Sequence, residues 1–252
     1  MSETRGSRRD LGRDGLVLVL LGLAPVVIYA VLTLGFRTGL LGLGIVFGSF
    51  SWIVPFLLAG GVAALFGGAL MLWGRTVFAG LVGVLVGVAA IGMGMGPTLL
   101  RQKAGTVPPI HDISTDTQNP PAFVAILPLR EGAPNPAAYD PGQTAQQLEA
   151  YPDVKTLIIE RPYAEAFPIV VKALRGEGLD LVATVPAEGR IEAVATTRWF
   201  GFKDDVVVRL IDAHGIATVV DIRSKSRIGR SDVGANAERI RAISERIVEA
   251  SS

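Results

Sequence analysis

The densest run of side chains able to do chemistry lies late in the sequence. Residues 223–246 hold seven basic side chains (Arg223, Lys225, Arg227, Arg230, Arg239, Arg241, Arg246) against three acidic ones (Asp232, Glu238, Glu245). If the chain is extended here, Arg223, Lys225 and Arg227 alternate to one face and Ser224 and Ser226 to the other. Gly229 and Gly234 then permit a tight turn into a helix start. Guanidinium forks, hydroxyls and the open amides of a helix N-terminus can together hold a phosphate or a carboxylate. Arg223, Ser226, Arg227, Arg230, Asp232 and Asn236 are therefore the candidate ligand-binding residues, suited to an anionic lipid head group, an envelope glycan fragment or an envelope protein. A structural use competes for the same residues. The arginines can pair with Asp221, Asp232 or the Asp204-Asp205 pair, Ser231 or Asp232 can cap the helix, and Asn236 can satisfy backbone in the preceding loop.

A second cluster, His111-Asp112-Ile113-Ser114-Thr115-Asp116, sets one imidazole beside two carboxylates. Such groups suit a metal ion, but no second histidine lies nearby, and short polar side chains turning back onto their own backbone account for the same residues. No metal and no cofactor is assigned, and Asp112, Ser114, Thr115 and Asp116 stand as a motif of unknown role. The competing reading is a hydrolase in which His111 or His214 activates Ser114 or Ser226 beside an aspartate, an arrangement that only geometry can establish. The sequence lacks the G-x-S-x-G, P-loop, H-E-x-x-H and strand–helix G-x-G-x-x-G patterns, so no catalytic residue is assigned. Trp199-Phe200-Gly201-Phe202 suits either a partner or interface contact or packing beneath a covering segment, for example against Phe123.

Composition narrows the chemistry further. Zero cysteines remove disulfides, thiolate metal sites and thiol nucleophiles, and a net charge of +1 over 252 residues argues against nucleic acid as a partner. After Leu100 there are 18 basic and 20 acidic residues, a net of −2, so no broad positive face is demanded.

These residues must be positioned by an α+β domain over 154–252. KTLIIE (155–160) suits a short strand, and Phe167, Val170, Val171 and Leu174 share a helical face, with Pro168 implying a kink or a later start. Four extended runs follow, at about 179–185, 190–198, 205–212 and 216–224, the last alternating as a half-buried strand. Turn signals at Glu188-Gly189, Lys203-Asp204 and His214-Gly215 suggest an antiparallel meander. A helix capped at Asp232 or a neighbour runs to about Ala250, with Ala237, Ile240, Ile243, Ile247 and Val248 on one face. The expected product is an antiparallel sheet with two helices on one face. Residues 101–153 precede it as an extended segment wrapping the domain, with nine prolines between Gly105 and Pro152.

Between Gly15 and Leu100 the only charged residues are Arg37 and Arg75. A bilayer core of about 30 Å takes roughly 20 apolar helical residues, which predicts three spans at about 15–35, 52–73 and 76–98. Trp52 and Trp73 bracket the second, and 38–51 is a glycine-rich interfacial or re-entrant link. Splitting 38–73 into two cramped spans is the alternative. With three spans, Arg5, Arg8, Arg9, Arg13 and Arg75 lie on the cytoplasmic side and Arg37, Arg101 and Lys103 on the other, which places the C-terminal domain in the periplasm of a bacterial inner-membrane protein. Residues 1–14 are then a cytoplasmic basic tail, and Ser7-Arg8-Arg9-Asp10-Leu11 reads as its positive flank rather than as a cleaved export signal. The G-x-x-x-G pairs Gly44/Gly48, Gly83/Gly87 and Gly92/Gly96 suit a dimer interface or packing among the spans. The spans lack Asp, Glu, Lys and His, which speaks against transport.

Asp112-Ile113-Ser114-Thr115-Asp116 followed by Pro120-Pro121-Ala122-Phe123, and the run from Arg223 to Asn236 with Arg239, resemble domain-of-unknown-function family 1499 (DUF1499) over about residues 110–248. The resemblance implies a membrane-anchored member whose domain follows N-terminal spans. The family carries no assigned activity, so no catalytic residue is transferred. Other members resemble lipoproteins with a cysteine near the start, which this sequence lacks.

Overall fold

The computed structural model describes residues 3–251, with side chains from residue 10 onward, and divides into two compact units, 1–102 and 103–252. The Arg5, Arg8 and Arg9 side chains of the basic tail lie outside the described residues. In the first unit three helices are long and apolar enough to cross a membrane: α1 (Glu3–Arg37), α2 (Leu43–Trp73) and α3 (Val77–Ala104). The link expected over 38–51 shrinks to 38–42, because α2 begins at Leu43 and continues through Pro55. At 1.5 Å per residue its 31 residues span about 46 Å, longer than a hydrocarbon core, so α2 must tilt or reach the interfaces. One unbroken helix here leaves no division of 38–73 into two spans.

Glycines set the helix spacing. A Cβ on Gly67 would meet the Gly15 carbonyl oxygen at 2.5 Å, and one on Gly68 would meet that of Gly80 at 2.8 Å, so α1 and α3 both approach α2 backbone to backbone. Gly83 and Gly87 belong to this contact, whereas Cβ positions at Gly44, Gly48, Gly92 and Gly96 meet no atom within 4 Å.

The second unit is a six-stranded antiparallel sheet built from β1 (Asp112–Ser114), β2 (Leu157–Ile159), β3 (Asp180–Val185), β4 (Arg190–Thr196), β5 (Lys203–Ala213) and β6 (Ala217–Ser226). The order is β1-β6-β5-β4-β3, and β1 and β2 share the outer edge of β6, pairing with residues 223–225 and 218–220. Helices α4 (Thr144–Ala150), α5 (Tyr163–Gly176) and α6 (Ala235–Ser251) complete the unit. α5 and α6 pack their apolar stripes on one sheet face, where Val170, Leu174, Ile240, Ile243 and Ile247 meet Ile191, Val206, Val208, Val220 and Ile222. α5 starts at Tyr163 and continues through Pro168, so Pro168 does not delay its start. The carbonyl deprived of its donor is that of exposed Ala164, open to solvent rather than buried. Val248, expected on the buried face of α6, is 53% exposed while Ile247 beside it is fully buried, so the buried stripe passes through Ile240, Ile243 and Ile247.

Two expectations need correction. Asp112–Ser114 is not a free turn but an edge strand, its outer backbone paired with a side chain: Gln147 Oε1 accepts from Ser114 N (3.0 Å) and Gln147 Nε2 donates to Ser114 O (2.7 Å). Nor is β6 half-buried, since Thr218 and every residue from Val220 to Ser226 are buried. The second face of the sheet is covered by the proline-rich strap, residues 115–143. Phe123 and Ile126 of the strap form a small apolar cluster with Val194 and Val207.

Candidate functional site

The strap has little regular structure, so its buried backbone polar groups need partners from elsewhere. Charged side chains of the sheet supply them. Antiparallel pairing of Asp112 with Lys225 and of Ser114 with Arg223 puts one carboxylate and two cations on the strap face. Asp112 receives Arg223 bidentately, Nε to Oδ1 at 2.9 Å and Nη2 to Oδ2 at 2.8 Å, and Lys225 Nζ at 2.8 Å. The remaining donors go to strap carbonyls: Arg223 Nη1 to Pro121 (3.1 Å), Arg223 Nη2 to Ala137 (2.9 Å) and Lys225 Nζ to Ala138 (2.7 Å). The Arg223 guanidinium also faces the rings of Phe123 and Tyr139, at 4.8 and 5.4 Å. All three charged groups are at least 98% buried. Burial lowers the pKa of Lys225, with Asp112 acting in the opposite direction.

Asp205 anchors a second cluster. It accepts from Arg130 of the strap and from Arg227, whose Nη2 lies 2.7 Å from Oδ1. Arg130 Nη2 donates to Asn135 O (2.9 Å), and Arg227 Nη1 to Leu129 O (2.7 Å). Glu192 serves the opposite polarity: its buried carboxylate accepts the amides of Val124, Ala125 and Ile126 at 2.9–3.1 Å and pairs with Arg190. A third cluster joins Arg209 to Asp116 (2.9 Å) and Asp221 (2.7 Å). At Asp116 burial would raise the pKa, but the amides of Asn119 and Gln118 and the Arg209 guanidinium bring it below the usual carboxylate value.

A polar relay occupies the helix side at the same end of the sheet. Asn236 accepts from Ser224 Oγ (2.7 Å) and Arg239 Nη1 (2.6 Å) and donates to Ser226 Oγ and His111 O (both 3.0 Å). Arg239 continues to Asp204 (2.7 Å). Asp232 caps α6, accepting from Gly234 N and Asn236 N at 2.8 Å each, with Val233 and Gly234 both at positive φ. Burial raises the Asp232 pKa against these two amide bonds.

The two sequence motifs are thus two halves of one ionic layer, and the comparison with known families falls on the same stretch. The family model described as "Protein of unknown function (DUF1499)" matches residues 112–247, more than half of the chain. The chain belongs to the DUF1499 family. The match opens on Asp112, the carboxylate that pins the strap, and ends on Ile247 in the α6 core. Among curated proteins none matches the sequence. Among solved structures, the crystal structure of TTHA0849 from Thermus thermophilus is similar at 13% identity, covering 38% of this chain and 97% of that one with a TM-score of 0.25.

The DUF1499 domain thus places the candidate binding residues as follows. Arg223, Arg227, Ser226, Asn236 and Asp232 all have partners inside the domain. Arg227 takes Asp205, one of the partners the sequence offered, but Arg223 takes Asp112, 111 positions away, rather than any of them. Arg230 is exposed and, among the described residues, forms no ion pair. The turn that carries it is held by Asn135 Nδ2 donating to Gly229 O (2.9 Å), with His111 Nδ1 3.4 Å from Arg230 O. Asp116 closes its own turn by accepting from Gln118 N and Asn119 N, Ser114 Oγ donates to Asp116 O, and Thr115 Oγ1 donates to Asp221. His214 sits exposed in the β5–β6 turn at φ 58°. Among the described residues neither imidazole is hydrogen-bonded to a serine hydroxyl or a carboxylate, and no group of three or more metal-ligating side chains is gathered. Sequence reasoning missed Arg130, Glu192 and Gln147, which are single polar residues whose only sequence signal is an unlikely place to bury one.

Proposed function

We propose that this chain is a bacterial inner-membrane protein that displays its DUF1499 domain in the periplasm as a non-catalytic binding module for an anionic envelope ligand, either a lipid head group or an acidic group on an envelope protein. The observation that carries this reading is Arg230, an exposed cation on a turn whose backbone is held by Asn135 and His111. A guanidinium on a pinned turn loses little freedom on meeting a phosphate or carboxylate. The other candidate residues, Arg223, Ser226, Arg227, Asp232 and Asn236, contribute by fixing that turn and the strap. The excess of arginine before the first span supports the periplasmic placement.

The test is photocrosslinking in intact cells followed by recovery of bound lipids and proteins. Arg230→Ala should reduce recovery at least about fivefold while shifting stability by less than about 0.5 kcal/mol, whereas Arg227→Ala should destabilise the domain. Unchanged recovery with Arg230→Ala overturns the reading. For sidedness, cysteines placed at Ser7 and Ser251 should react differently with an impermeant thiol reagent, Ser251→Cys labelling and Ser7→Cys not. Protection of both sites overturns the periplasmic assignment.

A further inference from the structure

Strand β3 closes the sheet on the side away from β1 and β2, so among the described residues its outer backbone edge has no neighbouring strand. Edge strands expose a row of N–H and C=O groups that can template a further strand. A bulge between Leu181 and Ala183 limits the regular portion to Ala183–Val185. This makes open-ended stacking unfavourable while leaving a short segment able to pair.

Helix α5 packs on the sheet face that β3 borders. Its core stripe is Ala166, Phe167, Val170, Ala173 and Leu174. Beside it runs a second stripe at i, i+3, i+4 and i+7: Pro168, Val171, Lys172 and Arg175. With Phe167 and with Thr184 of β3, that stripe lines a groove of about 370 Å³. Thr184 pairs with Ile191 and so shares the helix face of the sheet, so the groove adjoins the edge along which a seventh strand would pair. Its base is apolar, and its rim carries two exposed cations that, among the described residues, form no ion pair.

We propose that the β3 edge and the adjoining α5 groove form a docking site for an extended acidic segment of a partner protein, which adds a strand beside β3, seats one apolar side chain against Val171 and presents carboxylates to Lys172 and Arg175. Backbone pairing supplies the affinity and the alternate side chains supply the choice of partner. A second copy of this chain is disfavoured as the occupant, because two-fold pairing of β3 with itself brings together the four cations of two α5 grooves. The site is separate from the Arg230 surface and does not depend on it.

The probe is a fluorescent peptide of alternating valine and glutamate, measured by anisotropy against the full-length protein in nanodiscs of neutral lipid. Saturable binding is expected, weakened about tenfold or more by the double change Lys172→Glu and Arg175→Glu and about fivefold by Lys172→Gln with Arg175→Gln, all with unchanged circular dichroism. A valine–lysine peptide should not bind, and N-methylation of alternate peptide amides should abolish binding. Failure of the acidic peptide to bind, indifference to the charge reversals, or indifference to N-methylation each overturns the proposal. So does efficient disulfide crosslinking of Thr184→Cys between two copies, which would assign the edge to self-association. Because Arg230→Ala should leave peptide binding unchanged, the result stands or falls apart from the proposed anionic-ligand site.

Discussion

On the face of the sheet turned toward α5 and α6, strands and helices satisfy their own backbones and, apart from the Asn236–Arg239 relay at one end, apolar surface is what has to be matched. On the opposite face the cover is an irregular strap, and the sheet meets it with Arg223, Lys225, Asp205, Arg209 and Glu192. The first face is held by burial, worth about 25 cal/mol per Å² and indifferent to direction. The second is held by directed bonds, in which cations donate to strap carbonyls and a carboxylate receives strap amides. A cover without secondary structure brings orphaned polar groups into the interior, and a buried group without a partner costs about 1–3 kcal/mol. The ionic layer offsets that cost, at the expense of desolvating its own charges.

The sharpest way to separate the two faces is to remove one member from each. Asp112→Ala leaves Arg223 and Lys225 buried without their anion and should cost about 3–5 kcal/mol. Hydrogen exchange should then accelerate across the strap before it does in α5 and α6. Ile243→Ala on the other face should cost about 2–5 kcal/mol but raise exchange throughout the domain. Equal exchange profiles would mean that the faces are not held separately.

A second experiment asks whether the charges matter as charges or as donors. Replacing Asp112, Arg223 and Lys225 together by Leu, Met and Met removes the ion pairs without leaving a bare charge, a change that is often neutral or stabilising in other proteins. Here it also strips the donors from the carbonyls of Pro121, Ala137 and Ala138. A net loss of about 2–4 kcal/mol is therefore expected on thermal melting, and a neutral result would reduce the layer to simple electrostatics.

The smallest expected effect is on pH dependence. The folded pKa of Asp116 lies below its unfolded value of about 3.9, so its contribution is present above that pH and fades as pH falls through the folded pKa. The folded pKa of Asp232 lies above the unfolded value, so its contribution is greatest in acid and fades as pH rises through the folded pKa. Acidification through the carboxylate range should thus loosen the strap near Asp116 while leaving the α6 start intact. Exchange rates across 115–119 and 234–238 report this directly, and Asp116→Asn should remove the difference.

Much of the fold was legible because it rests on local periodicity. The stretch from 15 to 100, charged only at Arg37 and Arg75, announces helices long enough to span a membrane, and the alternation from Ile216 to Arg223 announces a strand with two different faces. The turns at Gly189 and Gly215 and the Asp232 cap are written in a few adjacent residues, whereas Lys203-Asp204, expected as a turn, opens β5 and the chain reverses over 197–202 instead. The strand at Asp112–Ser114 escaped notice because three residues carry no period, and its outer edge is completed by Gln147, a residue with no strand character.

What the sequence determined on its own was therefore the list of elements and the chemical character of each face, since both follow from contacts a few residues apart. Only the tertiary structure decided what those faces meet. Alternation marks Arg223, Lys225 and Arg227 as one row but cannot show that a strap from a hundred residues earlier lies over it. That strap turns an apparent anion-binding strip into the internal partner of Asp112 and Asp205, leaving Arg230 outside. Ion pairing depends on distances in space and on the exclusion of water, and neither exists until the chain has closed.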